Sequence, residues 1–336
     1  MRQPTIIDVA RRAGVSKSLV SLVMRGSERV SEERRAAVLD AAAELGYRPN
    51  AVARSLVERR SGVIGIVLSD LHNPFFADLI DGVEEGAVRG GYRAVLAPAF
   101  LDAGRESTAL DTLLQMRVDG LIMAGATVSL AEIEQAAKRV PMVLVARPTR
   151  SALMDSVRND DVAGAGGVVD HLVELGHERI AHIHAGTAPG ARERRQGYED
   201  GMRRHGLHDQ IASVRGGYTH AEGLEAMWTM LAWQAVPTAV FVANDTAAIG
   251  ALEALDAAGV LVPGDMSVVG YDNLPISGLH RIALTTVDQP TDQMGREAVE
   301  LLIERLDGER RDGRPRHLVV PPRLVVRNST GLPPKS

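Results

Sequence analysis

Residues 5–24 read TIIDVARRAGVSKSLVSLVM, and this stretch decides the fold at the start of the chain. Thr5 and Asp8 have the spacing of a helix-capping pair, and the apolar residues after them recur at the three- and four-residue spacing of a helix. Gly14 interrupts the pattern, Ser16 can cap a second helix, and the apolar spacing then resumes. Two amphipathic helices joined by so short a turn must cross steeply. The stretch therefore predicts a helix-turn-helix whose second helix fits a DNA major groove.

The distribution of charge favours this DNA-binding interpretation. Residues 1–60 contain 12 Lys and Arg against 7 Asp and Glu, whereas residues 61–336 contain 26 against 36. The formal net charge of −5 thus combines a basic N-terminal head with an acidic body. Phosphate contacts supply most of the sequence-independent affinity for DNA, so we expect DNA at the head. The alternative is a helix pair that is only a packing motif with solvated charges.

The composition excludes several classes of protein. The chain contains no cysteine, which excludes disulfides, zinc–thiolate sites and thiolate catalysis. Its apolar runs are too short for a transmembrane helix, and Met1 leads directly into the capped helix, so no signal peptide is expected. We therefore expect a cytoplasmic protein without a membrane partner. A length of 336 residues indicates two or three domains.

Three regions are predicted along the chain. Residues 1–47 form the helix-turn-helix domain, completed by a third helix that begins after Ser31. Residues 48–60 can form roughly two turns of helix, which is marginal alone in water, so they are either a plain linker or a hinge helix that folds only when bound. Residues 61–336 alternate short apolar strands with amphipathic helices. This alternation predicts two doubly wound parallel-sheet lobes, with a ligand between them at the C-terminal ends of the strands.

Several ordered segments stand out along the chain: 5–16 (TIIDVARRAGVS), 30–33 (VSEE), 45–56 (LGYRPNAVARSL), 73–76 (NPFF), 117–122 (RVDGLI), 175–177 (LGH), 244–245 (ND) and 270–273 (GYDN). Together these segments resemble the LacI/GalR family of bacterial transcription repressors. The resemblance implies a helix-turn-helix head, a hinge helix, and a core similar to periplasmic sugar-binding proteins. It also implies a homodimer on a palindromic operator, controlled by a small effector such as a sugar or sugar derivative. The C-terminus carries no Leu heptads, so a dimer is expected rather than a coiled-coil tetramer.

By position, the resemblance implies a DNA-contacting set in the head and hinge. Lys17 is the best candidate for a base contact, because a Lys can donate to guanine O6 and N7. Leu56 matches the family's lever residue, which opens a base step in the minor groove. Leu22 contacts a thymine methyl or simply packs, and Arg25 stands where Asn is usual, so the operator is expected to be particular to this chain. The groove-facing residues are Ser16, Lys17, Ser18, Ser21 and Leu22. The phosphate or sugar contacts are Thr5, Ser16, Ser21, Ser31 and Asn50. Arg25 also belongs to the DNA-binding set, as does Ala53, which shares a face with Leu56.

The resemblance also implies an effector cleft between the lobes. Phe75 or Phe76 would lie against a sugar ring, although two adjacent Phe at a helix start are also typical of a core. Tyr218 matches an aromatic wall of the same pocket. Carboxylates accept and Arg donates two parallel hydrogen bonds, so the polar positions suit hydroxyl recognition, although a buried Asp is equally a structural cap. These polar positions are Asp160, Arg194, Asn244 and Asp272.

The sequence does not indicate catalysis, a metal or a cofactor. His182 and His184 share one face of a predicted strand, but no third ligand follows at a useful spacing. A phosphate loop, a nucleophile elbow and supported carboxylate pairs are all absent. The two rival hypotheses are a solute-binding protein fused to an adaptor and an enzyme acting on a phosphorylated sugar. The basic head argues against the first, and the missing catalytic residues argue against the second.

Overall fold

The computed structural model describes residues 4–24, 26–27, 29–47, 60–308 and 313–335. The chain divides into two compact units, residues 1–61 and 62–336, and each is described by itself. The described helices are α1 (Ile6–Arg12), α2 (Lys17–Met24), α3 (Glu32–Glu44), α4 (Phe75–Arg89), α5 (Ala103–Gln115), α6 (Leu130–Ala137), α7 (Asp161–Glu174), α8 (Ala191–Arg204), α9 (His220–Leu231), α10 (Asp245–Ala257) and α11 (Thr291–Leu306). The strands are β1 (Val63–Leu68), β2 (Arg93–Pro98), β3 (Gly120–Ala124), β4 (Met142–Val145), β5 (Asp155–Asn159), β6 (Ile180–His184), β7 (Ala212–Arg215), β8 (Ala239–Val242), β9 (Ser267–Asp272), β10 (Thr285–Asp288), β11 (His317–Val320) and β12 (Arg323–Val325).

The described part of the first unit contains three helices around one small core, and side chains cap the N-termini of α1 and α2. The Asp8 backbone N–H donates to the Thr5 hydroxyl at 3.4 Å, and the Thr5 N–H donates to the Asp8 carboxylate at 2.9 Å. Gly14 has a φ of 67°, which suits glycine, and the Leu19 N–H donates to the Ser16 hydroxyl at 3.2 Å at the start of α2. The predicted capping box, turn and helix-turn-helix are confirmed. The buried core comprises Val9, Ala10, Val20, Val23, Val30, Val38, Ala41 and Ala42.

The second unit contains two six-stranded sheets covered by helices on both faces. The strand order of the first sheet is β11-β5-β4-β3-β1-β2, and all its pairings are parallel. The second sheet has the order β12-β10-β9-β8-β6-β7 and is parallel except for the antiparallel pairing of β10 with β12. Helices α4 and α11 cover one face of the first sheet, and α5 and α6 cover the other. Helices α7 and α8 likewise face α9 and α10 across the second sheet. The predicted pair of doubly wound lobes is confirmed.

The two lobes are interleaved along the chain, which the apolar pattern does not predict. The chain crosses between the lobes after β5, after β10 and again after β11. Helix α11 therefore packs in the first lobe, although it follows the strands of the second. The loops after β1, β3 and β4 form one wall of a cleft, and residues after β6 and at the ends of β9 and β10 form the other. Ligands in open parallel sheets bind at such strand ends.

Helices α4 and α11 approach each other closely through glycines. A Cβ added to Gly295 of α11 would lie 2.2 Å from the Leu79 carbonyl oxygen of α4. One added to Gly82 of α4 would lie 2.4 Å from the Asp292 carbonyl oxygen. Any side chain at these two positions would push the helices apart. The close packing of α11 against α4 therefore depends on glycine at both positions.

Candidate functional site

Helix α2 presents a polar surface to solvent while its other face packs in the head. Ser16, Lys17 and Ser18 are exposed, and Val20 and Val23 are buried in the core of the head. Ser21 and Leu22 are half-buried, and Leu22 packs against that core. The exposed hydroxyls and the ammonium group are donors of the kind that reach base edges and phosphates.

The remaining predicted DNA contacts lie at helix starts or outside the described residues. The Thr5 hydroxyl donates to the Asp8 carboxylate at 2.7 Å, so this side chain already completes the cap of α1. Ser31 is exposed at the N-cap of α3, and its side chain makes no capping hydrogen bond. The predicted contacts that lie outside the described residues are Arg25, Asn50, Ala53 and Leu56.

Arg194 lies at the centre of the cleft between the two lobes. Arg194 extends from the first turn of α8, and only 7% of the surface of Arg194 is exposed. Its Nε donates to the Asp161 carboxylate at 2.9 Å, and its Nη1 donates to the Ala243 carbonyl oxygen at 2.7 Å. Nη1 also lies 3.6 Å from an oxygen of Asp272, and the guanidinium lies 3.9 Å from the centre of the Tyr271 ring. One buried cation therefore joins two carboxylates from different elements of the second lobe.

Asp272 is held in an unusual conformation and a dry environment. Its φ of 110° is one that L-amino acids rarely adopt, and the Gln289 amide donates to its carboxylate at 2.6 Å. The pKa of Asp272 is raised to about 7, mainly by burial and further by the nearby Asp245 and Asp161 carboxylates, against the lowering effects of Arg194 and Gln289. Burial also raises the pKa of the Tyr218 phenol well above its ordinary value. The cleft thus holds polar groups that are poised to form hydrogen bonds with little competition from water.

Phe75 and Phe76 belong to the core of the first lobe and also line the cleft. Their exposed fractions are 7% and 6%, and their rings meet edge to face with centroids 4.9 Å apart. Both rings pack in the core cluster around β1 and α4. Both also contribute to the wall of a cavity that faces Arg194. The two interpretations left open by the sequence are therefore compatible.

A cavity of about 550 Å³, counted to its open mouth, brings most of the predicted cleft residues together. Phe75 and Phe76 line it from the first lobe, and Arg194, Tyr218 and Asp272 line it from the second. Asp161, Gln289, Asp70 and Ser69 also line it, and the sequence did not single them out. A concave site with one aromatic side and several converging polar groups is typical of a small-molecule pocket.

Asp160 and Asn244 do not line this cavity, in contrast to the expectation from the sequence. Asp160 accepts a hydrogen bond from the Ala163 N–H at 3.2 Å as the N-cap of α7. An N-cap side chain turns back onto its own helix, so the next residue, Asp161, contacts Arg194 instead. Asn244 caps α10 in the same way and donates to the Tyr218 carbonyl oxygen at 3.2 Å. Asn244 therefore positions a wall of the cavity from behind.

His182 is a core residue of the second lobe. Its ring stacks on Phe241 with centroids 4.5 Å apart, and burial lowers its pKa to about 3. The His184 ring lies 6.1 Å away on the same face of β6, as predicted from the alternation. Within the described ranges, no group of three or more His, Asp or Glu side chains has the arrangement of a metal site. In the same part of the chain, no helix combines the length and apolar character needed to cross a membrane.

Comparison with known proteins places both units of the chain. Residues 5–50 match the model described as bacterial regulatory proteins, lacI family, and residues 169–330 match the model of a periplasmic binding protein-like domain. The ribose operon repressor of Escherichia coli (strain K12) is 37% identical over 309 residues, which cover 90% of this chain and 93% of that protein.

Two solved structures extend the likeness to three dimensions. The lac repressor dimer bound to operator and the anti-inducer ONPF has a TM-score of 0.88 and 31% identity, over 98% of this chain and 100% of that chain. A complex of the transcriptional regulator CelR with cellobiose has a TM-score of 0.72 and 32% identity, over 97% of this chain and 99% of that chain. With the capped helix-turn-helix and the two-lobed core, these matches show that the chain belongs to the LacI family of bacterial regulatory proteins.

Proposed function

We propose that this chain is a transcriptional repressor that binds a palindromic operator as a homodimer, under the control of a sugar or sugar derivative. The observation that carries the effector assignment is the buried Arg194, which joins Asp161 and Asp272 and faces the cavity lined by Phe75 and Phe76. Carboxylates, an amide and a guanidinium opposite aromatic rings suit the hydroxyls and the apolar face of a sugar.

The proposed effector site follows the cavity rather than the sequence prediction at two positions. Asp161 takes the place of Asp160 as the carboxylate beside Arg194, and Tyr218 and Asp272 complete the polar wall. Asn244 acts indirectly, because its amide holds the Tyr218 backbone. The similar proteins include a ribose operon repressor and a regulator in complex with cellobiose, which supports the sugar class.

The proposed DNA surface is the exposed side of α2 with its flanking residues. We assign base reading to Lys17, with Ser18 and Leu22 beside it, since these groups can donate to guanine or contact a thymine methyl. Residues 48–60 are proposed as a hinge that folds on DNA, with Leu56 as the minor-groove wedge. The proposed register contacts are Thr5, Ser16, Ser21, Ser31 and Asn50. Arg25 and Ala53 complete the proposed DNA-binding set, with Ala53 on the same helix face as Leu56.

The switch is proposed to be mechanical rather than chemical. Effector binding changes the angle between the lobes of each subunit, which shifts the spacing of the paired hinges and so the affinity for the operator. A segment that forms only about two turns of helix has folded and unfolded states of similar free energy. A few kcal/mol therefore decide what fraction of the hinge is helical. Because the relatives are transcriptional regulators, we propose that the chain is not an enzyme and that it acts in the cytoplasm, where DNA is found.

The test begins with operator selection from a randomised duplex pool by the purified full-length chain. The selected duplex, labelled for fluorescence anisotropy, is expected to be palindromic and to bind more weakly as salt rises. Lys17→Ala is expected to weaken binding and to relax one base position, whereas Lys138→Ala, at the C-cap of α6, removes the same charge without effect. A panel of sugars is then screened by thermal shift, and binders are tested for release or recruitment of the duplex. Failure to select any preferred duplex would overturn the DNA assignment, and a panel without binders would overturn the effector assignment.

A further inference from the structure

A second, larger cavity adjoins the first at the mouth of the cleft. Its space, open solvent at the mouth included, is about 1140 Å³, and it shares Leu101, Pro189 and Gly190 with the first cavity. Residues of both lobes line it, so a molecule seated in the first cavity can extend into the second without leaving the cleft. The first cavity is hereafter the inner cavity and the second the outer cavity.

The outer cavity carries an excess of positive charge. Arg147 lines it from the loop after β4, Arg192 from the first turn of α8, and Arg215 from the end of β7. Of the described residues that line it, Glu193 alone carries a carboxylate. Among the described residues, none of the three arginines forms an ion pair with a carboxylate. This contrasts with Arg194 of the inner cavity, whose charge is balanced by Asp161 and Asp272.

Arg147 is held in place by the backbone of the first lobe. Its Nη1 donates to the Ala126 carbonyl oxygen at 3.1 Å and to the Val128 carbonyl oxygen at 2.5 Å. The buried Glu106 fixes the same loop from behind, since it accepts hydrogen bonds from the Thr127 N–H at 2.8 Å and the Val128 N–H at 2.7 Å. A guanidinium that is already ordered loses less entropy when it binds an anion than a free surface side chain does.

The inner cavity has the opposite electrostatic character. Among the described residues, its lining contains three acidic side chains, those of Asp70, Asp161 and Asp272, and one cation, Arg194. An anionic group would be repelled there, whereas neutral hydroxyls would find both acceptors and donors. The first turn of α8 also lines the outer cavity, and the positive end of its helix dipole adds to the field of the arginines. The two cavities therefore select different parts of one ligand.

We propose that the effector is an anionic sugar derivative, whose hydroxyl-bearing ring occupies the inner cavity and whose oxyanion contacts Arg147, Arg192 and Arg215. This inference rests on the proposed function and narrows its effector class. The shared chemistry is an oxyanion attached to the sugar, which is either a phosphate ester or a carboxylate. An arginine fork matches either group with paired N–H donors.

The test compares anionic sugars with their neutral parents on the full-length chain. Calorimetry measures the Kd of D-glucose, D-glucose 6-phosphate and D-glucuronate, and of D-ribose and D-ribose 5-phosphate, with inorganic phosphate as a probe of the outer cavity alone. At least one anionic member is expected to bind about tenfold or more tightly than its parent, which corresponds to about 1.4 kcal/mol. Its Kd should rise with salt, while the Kd of the parent should not. Preference for the phosphate or for the carboxylate identifies the source of the oxyanion.

Two variants separate the arginines from a general charge effect. Arg192→Gln combined with Arg215→Gln is expected to reduce the anionic preference by about tenfold or more and to leave the neutral parent unchanged. Arg203→Gln is the control, because it removes a charge from the exposed side of the same helix. Equal or tighter binding of every neutral parent would overturn the inference while leaving the proposed function intact, as would an anionic preference that survives the double variant. If no sugar of either class binds, the proposed effector control fails and the inference fails with it.

Discussion

Replacement of Arg194 by Ala tests the cleft at its centre. The variant loses the hydrogen bond from Nε to Asp161 at 2.9 Å and that from Nη1 to the Ala243 carbonyl oxygen at 2.7 Å. It also leaves Asp272 without the cation that lies 3.6 Å from its carboxylate. Since these groups are buried, water cannot replace the guanidinium at low cost.

The size of the stability loss in Arg194→Ala follows from the burial of the Asp161 and Asp272 carboxylates. Removal of one partner of a buried ion pair typically costs about 3–5 kcal/mol of the free energy of unfolding. Protonation of Asp272 relieves part of this cost, because its pKa is already raised to about 7 and rises further when Arg194 is removed. In the folded variant the Asp272 carboxyl then keeps its proton above pH 7, whereas in the folded wild type it has lost that proton. The difference in stability should therefore be smallest at pH 6 and should grow as the pH rises past 7.

Arg195→Ala provides the matched control. Arg195 is the next residue of α8, its side chain is 48% exposed, and its Nε contacts Glu199 at 3.0 Å. An exposed pair of this kind contributes about 0–1 kcal/mol, so the control should unfold almost like the wild type. Urea unfolding at pH 6 and pH 9 measures the difference, and anisotropy measures operator binding with and without sugar. Equal stability losses for the two variants, or a full sugar response in Arg194→Ala, would refute the central role of this residue.

Three further predictions concern packing, pH and DNA. Gly295→Ala places a Cβ 2.2 Å from the Leu79 carbonyl oxygen and should lower the free energy of unfolding by about 1–3 kcal/mol. The control Gly167→Ala meets nothing within 4 Å and should raise that free energy by about 0.5–1 kcal/mol. Equal shifts of the two variants in urea unfolding would contradict the close helix contact. Asp272→Asn removes a carboxyl whose pKa is raised, mainly by burial, from 3.8 to about 7. The stability of the wild type should therefore fall relative to that of the variant as the pH rises through that interval. Parallel pH profiles of stability for the two proteins would argue against the raised pKa of Asp272. Leu56→Ala should weaken operator binding in anisotropy and leave effector affinity intact, and an unchanged operator affinity would reject the lever role implied by the family resemblance.

The helix-turn-helix head could be predicted because its signals are local. The capping pair of Thr5 and Asp8, the turn at Gly14 and the cap at Ser16 each involve residues within three or four positions of one another. Such contacts form from the sequence spacing alone. The apolar strands of the lobes were also predictable, since parallel strands covered on both faces are continuous apolar runs.

The interleaving of the lobes could not be predicted, because its signals are distant in the sequence. Strand β5 reads DSVRN, which does not resemble a buried strand. Its Asp155 binds Arg305 of α11, with an Nη2 contact at 2.9 Å, and its Ser156 bonds to His317 of β11 at 2.8 Å. These partners lie about 150 residues or more away, so the polar strand becomes stable only in the folded lobe.

The cleft was predictable as a set of residue types but not to the single residue. The family resemblance indicated Arg194, Tyr218 and Asp272, and all three line the inner cavity. At the pair Asp160 and Asp161, either side chain could cap α7 from its spacing alone. The structure assigns the cap to the first and the contact with Arg194 to the second, and only the tertiary position of α8 decides between them.

We propose that a sugar in the cleft controls the binding of DNA by the head. The most direct measurement is the Kd of the selected operator for the wild type and for Arg194→Ala, with and without the sugar that gives the largest thermal shift. The sugar is expected to change the wild-type Kd by about tenfold or more, a coupling of about 1.4 kcal/mol, and to leave the Kd of the variant unchanged. Operator binding without sugar should be the same for both proteins. A wild-type Kd that no binding sugar alters, or a variant that responds like the wild type, would contradict the claim.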